Sequence, residues 1–151
     1  MYNIVVNEFR QCPTEGAIGL LALLIKSGRL AESRLDDALA SVDLTFVKWR
    51  TLDALVKAES PIPLGLLAER LSCVKSNVTQ LVDKLEVEGA VQRASDREDR
   101  RSILVDLTDK GQWLHGAGRQ ALELATQALF HSFGDEDRAV LRQLLNALEG
   151  D

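Results

Sequence analysis

Residues 66–108 read LLAERLSCVKSNVTQLVDKLEVEGAVQRASDREDRRSILVDLT, and the rest of the chain is organised around them. Apolar residues in this stretch first recur every three or four positions and then alternate at every second position. The first pattern predicts a short helix, a tight turn and a longer helix, and the second predicts a β-hairpin with a charged tip. Two helices joined by a short turn form a helix-turn-helix, whose second helix lies in the major groove of DNA.

The longer predicted helix has one face that must be buried and another made of short polar side chains. The buried stripe, at positions i, i+3, i+4 and i+7, consists of Val78, Leu81, Val82 and Leu85. Outside it lie the residues that we expect to contact DNA, namely Lys75, Ser76, Asn77, Thr79, Gln80 and Lys84. The first two turns carry hydrogen bonders and a cation, with no acid before Asp83, and such a surface suits base edges and phosphates. Gly89 predicts the end of this helix.

The shorter helix and the turn supply the support for the longer one. Leu67, Ala68 and Leu71 give the shorter helix an apolar side that can brace a partner helix but cannot hold it folded alone. Residues 72–74 form the predicted turn. Cys73 lies where such a turn needs a small apolar residue, and free cysteine is often buried, so we expect a structural role for it.

The hairpin is a second candidate DNA contact. Its predicted strands are residues 91–94 and 103–107, and its tip contains Arg97, Arg100 and Arg101 among three acidic residues. A solvated surface loop would explain the polarity of the tip. It explains less well why every cation is arginine, a residue suited to phosphates and to narrow minor grooves.

These residues resemble the MarR family of bacterial winged-helix regulators. The resemblance is carried by LVDKLE at 81–86, Gly89, DREDRR at 96–101 and LTDKG at 107–111, in this order and at family spacing, and it extends over about residues 17–148. It implies an obligate homodimer with a winged helix in each protomer. It also implies that a small aromatic or anionic ligand often changes DNA affinity.

The resemblance further implies roles in the wing tip. Asp99 and Arg101 match the pair that hold each other, so that Arg101 enters the minor groove and Arg100 is left for phosphate. An acid beside a DNA-binding arginine makes sense only if it orients that arginine, so we expect loss of Asp99 to weaken DNA binding. One position departs from the family, because Val74 stands where a capping serine or threonine is usual.

The flanking segments predict long helices with more apolar surface than one domain can bury. A helix should begin near Pro13 and Thr14 and continue to about residue 39, and two more should cover about 109–133 and 135–148. We therefore expect a mainly α protein with a small β-wing, in the order α1-α2-β1-α3-α4-β2-wing-β3-α5-α6. Residues 13–42 and 109–150 would form the helical dimerisation region and residues 43–108 the winged helix-turn-helix. A monomeric bundle with a central first helix is the alternative.

Composition excludes several classes of protein. With 151 residues, 46% hydrophobic and 27% charged, the chain is ordinary for one soluble domain, and no signal peptide or membrane-length apolar run is visible, so we expect a cytoplasmic protein. The net charge of −5 argues against binding through a bulk positive field. Residues 75–104 hold six basic and six acidic residues, so DNA affinity must come from placed contacts.

No pattern of catalytic or metal-binding residues is present. His115 and His131 lie sixteen residues apart with no ligand-spaced partner, and no phosphate loop or nucleophile motif occurs, so we expect no enzyme, metal or cofactor. Cys12 matches a region in which some members of the resembling family sense oxidants. A lone thiol with only Arg10 as a basic neighbour is more often inert, and both readings stay open.

The segment before the helix-turn-helix contains the candidate ligand residues. Thr45 is the predicted cap of a helix that begins with Phe46 and contains Trp49 and Arg50. In the resembling family the small-molecule pocket lies at this junction, and Arg50 could neutralise an anionic ligand there. Both aromatic residues could equally be plain core.

Together these observations predict a homodimeric, sequence-specific regulator of transcription that binds a roughly palindromic site in double-stranded DNA. Repression is the favoured direction. The rival from another class is a winged-helix module that binds proteins, with its arginine tip docked on an acidic partner. A thiol-based redox regulator acting through Cys12 is a further alternative, and an enzyme has only isolated cysteines and histidines in its favour.

Overall fold

The structure is a computed structural model that describes residues 16–95 and 102–149, without the side chains of Lys75 and Glu149. The predictions for Cys12, for the helix start at Pro13 and Thr14 and for the wing tip at 96–101 lie outside the described residues. Within them the element order is α1 (Gly16–Leu39), a short 3₁₀ turn (Ala40–Val42), α2 (Phe46–Val56), β1 (Ile62–Pro63), α3 (Leu64–Leu71), α4 (Lys75–Val87), β2 (Val91–Ser95), β3 (Ile103–Leu107), α5 (Asp109–Leu129) and α6 (Asp135–Glu149). The fold is mainly α with a small sheet, as predicted.

The core lies where α3, α4, the sheet and the neighbouring faces of α2 and α5 meet. From α4 it receives Val78, Val82 and Leu85, which are at most 1% exposed. The stripe predicted from helical spacing is therefore confirmed, with Leu81 packed partly buried against it. Burying these apolar side chains is what holds α4 against the domain, since a helix of thirteen residues is marginal alone.

The end of α4 is set by Gly89, as predicted. Gly89 adopts φ +73°, a left-handed conformation that a glycine tolerates at little cost. Its N–H donates to the Glu86 carbonyl at 2.9 Å, and the N–H of Ala90 donates to the Leu85 carbonyl at 2.8 Å. This pair of bonds is the Schellman arrangement, which reverses the chain directly into β2.

The sheet has three antiparallel strands in the order β1-β3-β2. In the β2–β3 hairpin Val91 faces Leu107 and Ser95 faces Ile103, so β2 is one residue longer than predicted. The β1 strand has two residues and pairs Ile62 with Val105, both in the core. This pairing ties the segment before α3 to the hairpin.

Threonine caps begin α2 and α5, the first helix inside and the first helix after the winged segment (residues 43–108). The predicted cap at Thr45 is confirmed, because Thr45 accepts from the N–H of Lys48. Thr108, a capping residue type directly before the helix predicted from residue 109, accepts from the N–H of Gly111 and caps α5. The α5 helix ends at Leu129, four residues earlier than the predicted end at Phe133. Phe130 and Phe133 then pack edge to face with ring centroids 5.7 Å apart, a local contact that replaces the last helical turn.

Two expectations about individual residues are wrong. Cys73 is exposed, with its Sγ 3.3 Å from the Leu71 carbonyl oxygen, because the turn points this side chain outward instead of into the core. The apolar residues Trp113, Leu114 and Ala117 predict one shared apolar face on α5, but Trp113 is 66% exposed, whereas its neighbour Leu114 is 8% exposed. Adjacent residues on a helix differ by about 100° in direction, so the two cannot share one narrow face.

Candidate nucleic-acid interface

The outer face of α4 carries the polar side chains that the sequence singled out. Ser76, Asn77, Gln80 and Lys84 are exposed, and Thr79 is partly buried and engaged in an interaction of its own. Ser76, Gln80 and Lys84 follow at intervals of four residues and therefore form one row along the helix, with Asn77 beside it. Lys75 begins the helix. The row offers hydroxyl and amide groups that can both donate and accept, followed by one cation.

The turn before α4 presents the start of this row. Ser72 adopts a left-handed conformation with φ 52° and its N–H donates to the Glu69 carbonyl at 3.0 Å. The N–H of Cys73 donates to the Ala68 carbonyl at 3.1 Å. These bonds close α3 and redirect the chain within three residues. The geometry is that of a helix-turn-helix in which α4 is the second helix.

Arg93 connects the hairpin to the same helix. Its guanidinium lies 2.7 Å from Asp83 Oδ1 and 2.6 Å from Glu86 Oε2, and its backbone N–H donates to Glu86 Oε1 at 3.2 Å. The side chain is only 21% exposed. Burial lowers the pKa of Arg93, but the bonds to Asp83 and Glu86 outweigh it and the net shift of this pKa is upward. The base of the wing is thereby fixed in direction relative to α4.

Sequence reasoning did not assign this role to Arg93. A signal was present, because Asp83 and Glu86 are three residues apart on one helical face and a sharp turn brings β2 back beside them. Both carboxylates form ion pairs with Arg93. Their charge therefore does not oppose an anion at the start of α4 as strongly as the charge count alone suggests.

The junction of α2 and α5 is filled by stacked rings. Phe46 stacks on Trp49 at 6.3 Å between centroids, and Trp49 stacks on His115 at 5.4 Å. Trp49 Nε1 donates to the His115 carbonyl at 3.1 Å. A Cβ at Gly118 would lie 2.5 Å from Trp49 Cδ1, so glycine is what admits the indole. Phe46 and Trp49 are partly buried against the core, as expected if both aromatic residues have a packing role.

Arg50 lines a cleft of about 460 Å³ between α2 and α3. The cleft is lined by Arg50, Asp53, Ala54, Lys57, Arg70 and Leu71. Arg70 donates to the Ala54 carbonyl at 3.2 Å and Lys57 pairs with Asp53 at 2.7 Å. In the described part of the chain Arg50 has no hydrogen bond or ion pair. The predicted group of Phe46, Trp49 and Arg50 is thus divided between a ring stack and a cationic cleft.

Asp53 connects this cleft to α5. Its Oδ1 lies 3.1 Å from Nε2 of His115, within hydrogen-bonding distance. Burial raises the pKa of Asp53, but the hydrogen bonds and charges of Lys57 and His115 lower this pKa by more. The net pKa of Asp53 is therefore below its ordinary value of 3.8. Among the described residues no group of three or more histidine, cysteine or acidic side chains could hold a metal ion.

Comparison with known proteins identifies the group to which this architecture belongs. The sequence profile described as MarR family matches residues 42–102. The homoprotocatechuate degradative operon repressor of Escherichia coli is 30% identical over 104 residues, which cover 68% of this chain and 69% of the repressor. This chain belongs to the MarR family.

Solved structures agree with the MarR fold. A crystal structure of mutant MarR from E. coli complexed with operator DNA has a TM-score of 0.81 at 24% identity, over 87% of this chain and 94% of that one. CouR from Rhodococcus jostii RHA1, bound to p-coumaroyl-CoA, has a TM-score of 0.76 at 23% identity, over 89% and 95%. At such identities the likeness establishes the winged helix-turn-helix fold.

The curated MarR-type relatives are described as transcriptional regulators, so family membership groups this chain with regulators and not with enzymes, as predicted. The chain spans between 37% and 57% of the length of several further relatives that it matches. In the described ranges no helix is both long and apolar enough to cross a membrane. The wing residues Arg97, Asp99, Arg100 and Arg101 lie outside those ranges.

Proposed function

We propose that this chain is a homodimeric regulator that acts in the cytoplasm, binds a roughly palindromic DNA site through α4 and represses transcription there. One observation carries the proposal. The α4 helix buries three of the four residues of its apolar stripe, with Leu81 partly buried beside them. It turns a row of exposed hydroxyl, amide and ammonium groups outward at Ser76, Gln80 and Lys84. Asn and Gln side chains pair with adenine, and Ser reads several bases, in the major groove.

The rigidity of this face supports a role in reading sequence. A contact that discriminates bases needs a side chain held in a fixed place, since base edges differ only in the positions of donors and acceptors. The α4 helix is anchored by Val82 and Leu85 in the core, by the Schellman bonds at Gly89 and by Arg93 from the hairpin. The same anchoring would carry the arginine-rich tip to the neighbouring minor groove.

The proposed homodimer accounts for apolar surface that one chain leaves uncovered. On α1, Ile18, Leu20 and Leu21 are between 56% and 73% exposed. On α6, Leu144 and Leu148 are 60% and 69% exposed. Stable soluble proteins rarely leave such stripes in water, and a second copy offers the same stripes in return. Two linked winged segments would then place two α4 helices on half-sites about one helical turn apart.

Regulation by a small anionic ligand is the finer part of the proposal. The support is the α2–α3 cleft, in which Arg50 and Arg70 have no carboxylate partner among the described residues while Asp53 is already paired. CouR is bound to p-coumaroyl-CoA, an aromatic thioester with anionic phosphate groups. An anion bound between α2 and α3 would contact α3, the first helix of the helix-turn-helix, and could thereby change its position.

Selection of binding sites from random duplexes tests the proposed function. We expect the wild-type chain to enrich sites with two-fold symmetry, with affinity that falls as salt rises. Gln80→Ala should relax preference at one position in each half-site and cost about 1–3 kcal/mol there. Gln120→Ala, the same change at an exposed position on α5, is the matched control and should leave the selected site unchanged.

Two results would contradict the proposal. Enrichment of no duplex at low salt would favour the alternative of a winged-helix module that binds proteins. Binding without any sequence preference, equal in the wild-type chain and in Gln80→Ala, would move DNA contact away from the α4 face.

A further inference from the structure

Within residues 16–95 and 102–149 the side chain of Val74 has no evident structural role. It is the N-cap residue of α4, yet its side chain makes no capping hydrogen bond. It is 69% exposed, whereas Val78 and Val82 on the same helix are 1% and 0% exposed. The isopropyl group of Val74 thus contributes neither to the helix start nor to the core.

A valine at this position is unfavourable for the helix itself. Serine, threonine, aspartate and asparagine are preferred at N-caps because their side-chain oxygens accept from free N–H groups of the first turn, and valine cannot. The Val74 carbonyl does accept from the N–H groups of Asn77 and Val78, at 2.9 and 3.3 Å, so the backbone is in place for a cap. Only the side-chain acceptor is missing. Helix stability does not explain the valine, whereas a contact made outside the described part of the chain would.

The surroundings of Val74 indicate what that is. Val74 directly precedes the polar row, with Ser76 and Asn77 exposed beyond it and Cys73 exposed before it. In a helix-turn-helix the N-terminal residues of the second helix contact base edges. Thymine alone among the DNA bases presents a methyl group in the major groove, and it is read by apolar contact. A β-branched side chain suits this contact because it has little rotamer freedom to lose.

We propose that Val74 reads the 5-methyl group of a thymine in each half-site and is a specificity-determining residue of this chain. The inference rests on the proposed function, since it requires α4 in the major groove. It names a specific base, thymine, and a specific group, its 5-methyl, which the hydrogen-bonding side chains of α4 do not identify. It also explains why the capping serine or threonine is absent.

Uracil replaces thymine in the test because it lacks the methyl group and keeps every hydrogen-bonding atom. In the site selected by the wild-type chain, each thymine of the half-site is replaced singly by uracil, and binding is measured at fixed salt. We expect one replacement to weaken wild-type binding about fourfold, the value of one apolar carbon removed from water. Val74→Ser should bind the thymine and uracil duplexes equally, at about the wild-type affinity for uracil.

Folding is monitored in the same variants by thermal unfolding. Val74→Ser restores a capping oxygen, so its Tm should rise by about 2–4 °C while its affinity falls. Opposite changes in stability and affinity cannot arise from damaged folding. Val87→Thr is the matched control, because Val87 is 89% exposed at the far end of α4 and its replacement should leave the thymine preference unchanged.

Each outcome bears on one of the two proposals. A chain that selects a DNA site but ignores every thymine-to-uracil replacement overturns the role of Val74 alone. So does a Val74→Ser variant that discriminates as strongly as the wild type, since another residue would then read the methyl group. A chain that selects no duplex overturns the proposed function and this inference with it.

Discussion

The winged segment and the terminal helices differ in how much of their apolar surface is buried within one chain. In the winged segment Leu67, Leu85 and Val105 have no exposed surface at all. On α1 and α6 residues of the same kind, such as Leu20 and Leu144, are 69% and 60% exposed. The winged segment therefore completes its core within one chain, whereas the terminal helices form an apolar surface that one chain leaves open. Folding and association should be separable in this protein.

The largest effect should come from a matched pair of leucines. Leu85→Ala removes a fully buried side chain at the base of α4 and should lower the free energy of unfolding by about 2–5 kcal/mol. Leu144→Ala, at an exposed position on α6, should cost under about 1 kcal/mol in dilute solution, where association contributes little. The free energy of unfolding of both variants is measured by urea unfolding at the same low protein concentration. Equal costs would erase the distinction between the two regions.

Association should respond to a charge on α1. Leu20→Glu places a carboxylate on the uncovered apolar face and should weaken self-association at least about tenfold, or roughly 1.4 kcal/mol, because a buried charge without a partner is costly. Sedimentation at micromolar concentration should show twice the chain mass for the wild type and a smaller species for the variant.

The control for association is Val87→Glu, which places the same charge at an exposed position of the winged segment. It should sediment like the wild type. A folded monomer that binds its selected DNA site as tightly as a dimer would refute the role given to the terminal helices.

The smallest effect should appear at the contact between the two regions. Asp53 of α2 bonds to His115 of α5, and its pKa is lowered by Lys57 and His115 despite the opposing effect of burial. The unfolded chain binds the proton more readily, so the charged carboxylate stabilises the fold above the unfolded pKa of about 3.8, and this stability is lost as pH falls through the folded pKa.

Asp53→Asn should therefore cost about 1 kcal/mol at neutral pH, with the difference from the wild type shrinking below about pH 3.8. Thermal unfolding at a series of pH values measures it. Asp37→Asn, at an exposed position on α1, is the control and should show a small difference that stays constant. A cost for Asp53→Asn that grows in acid would mean that the sign of the shift is wrong.

Periodicity and local chemistry predicted the elements well. The stripe of α4, the threonine caps at Thr45 and Thr108 and the stop at Gly89 all depend on residues close together in sequence, and the structure confirms each of them. The errors involve direction in space. Cys73 and Trp113 were assigned to apolar surfaces by residue type, but the path of the turn and the rotation of the helix point both outward.

The sequence alone determined the element order, the buried face of α4 and the polar row opposite it, because these follow from the 3.6-residue and two-residue periods of helix and strand. Tertiary structure decided which distant groups meet. Arg93 bonds to Asp83 and Glu86, His115 stacks on Trp49 and bonds to Asp53, and Arg50 faces the cleft near Arg70. Such contacts depend on how helices cross and strands turn, and spacing along one chain does not encode which distant side chains meet.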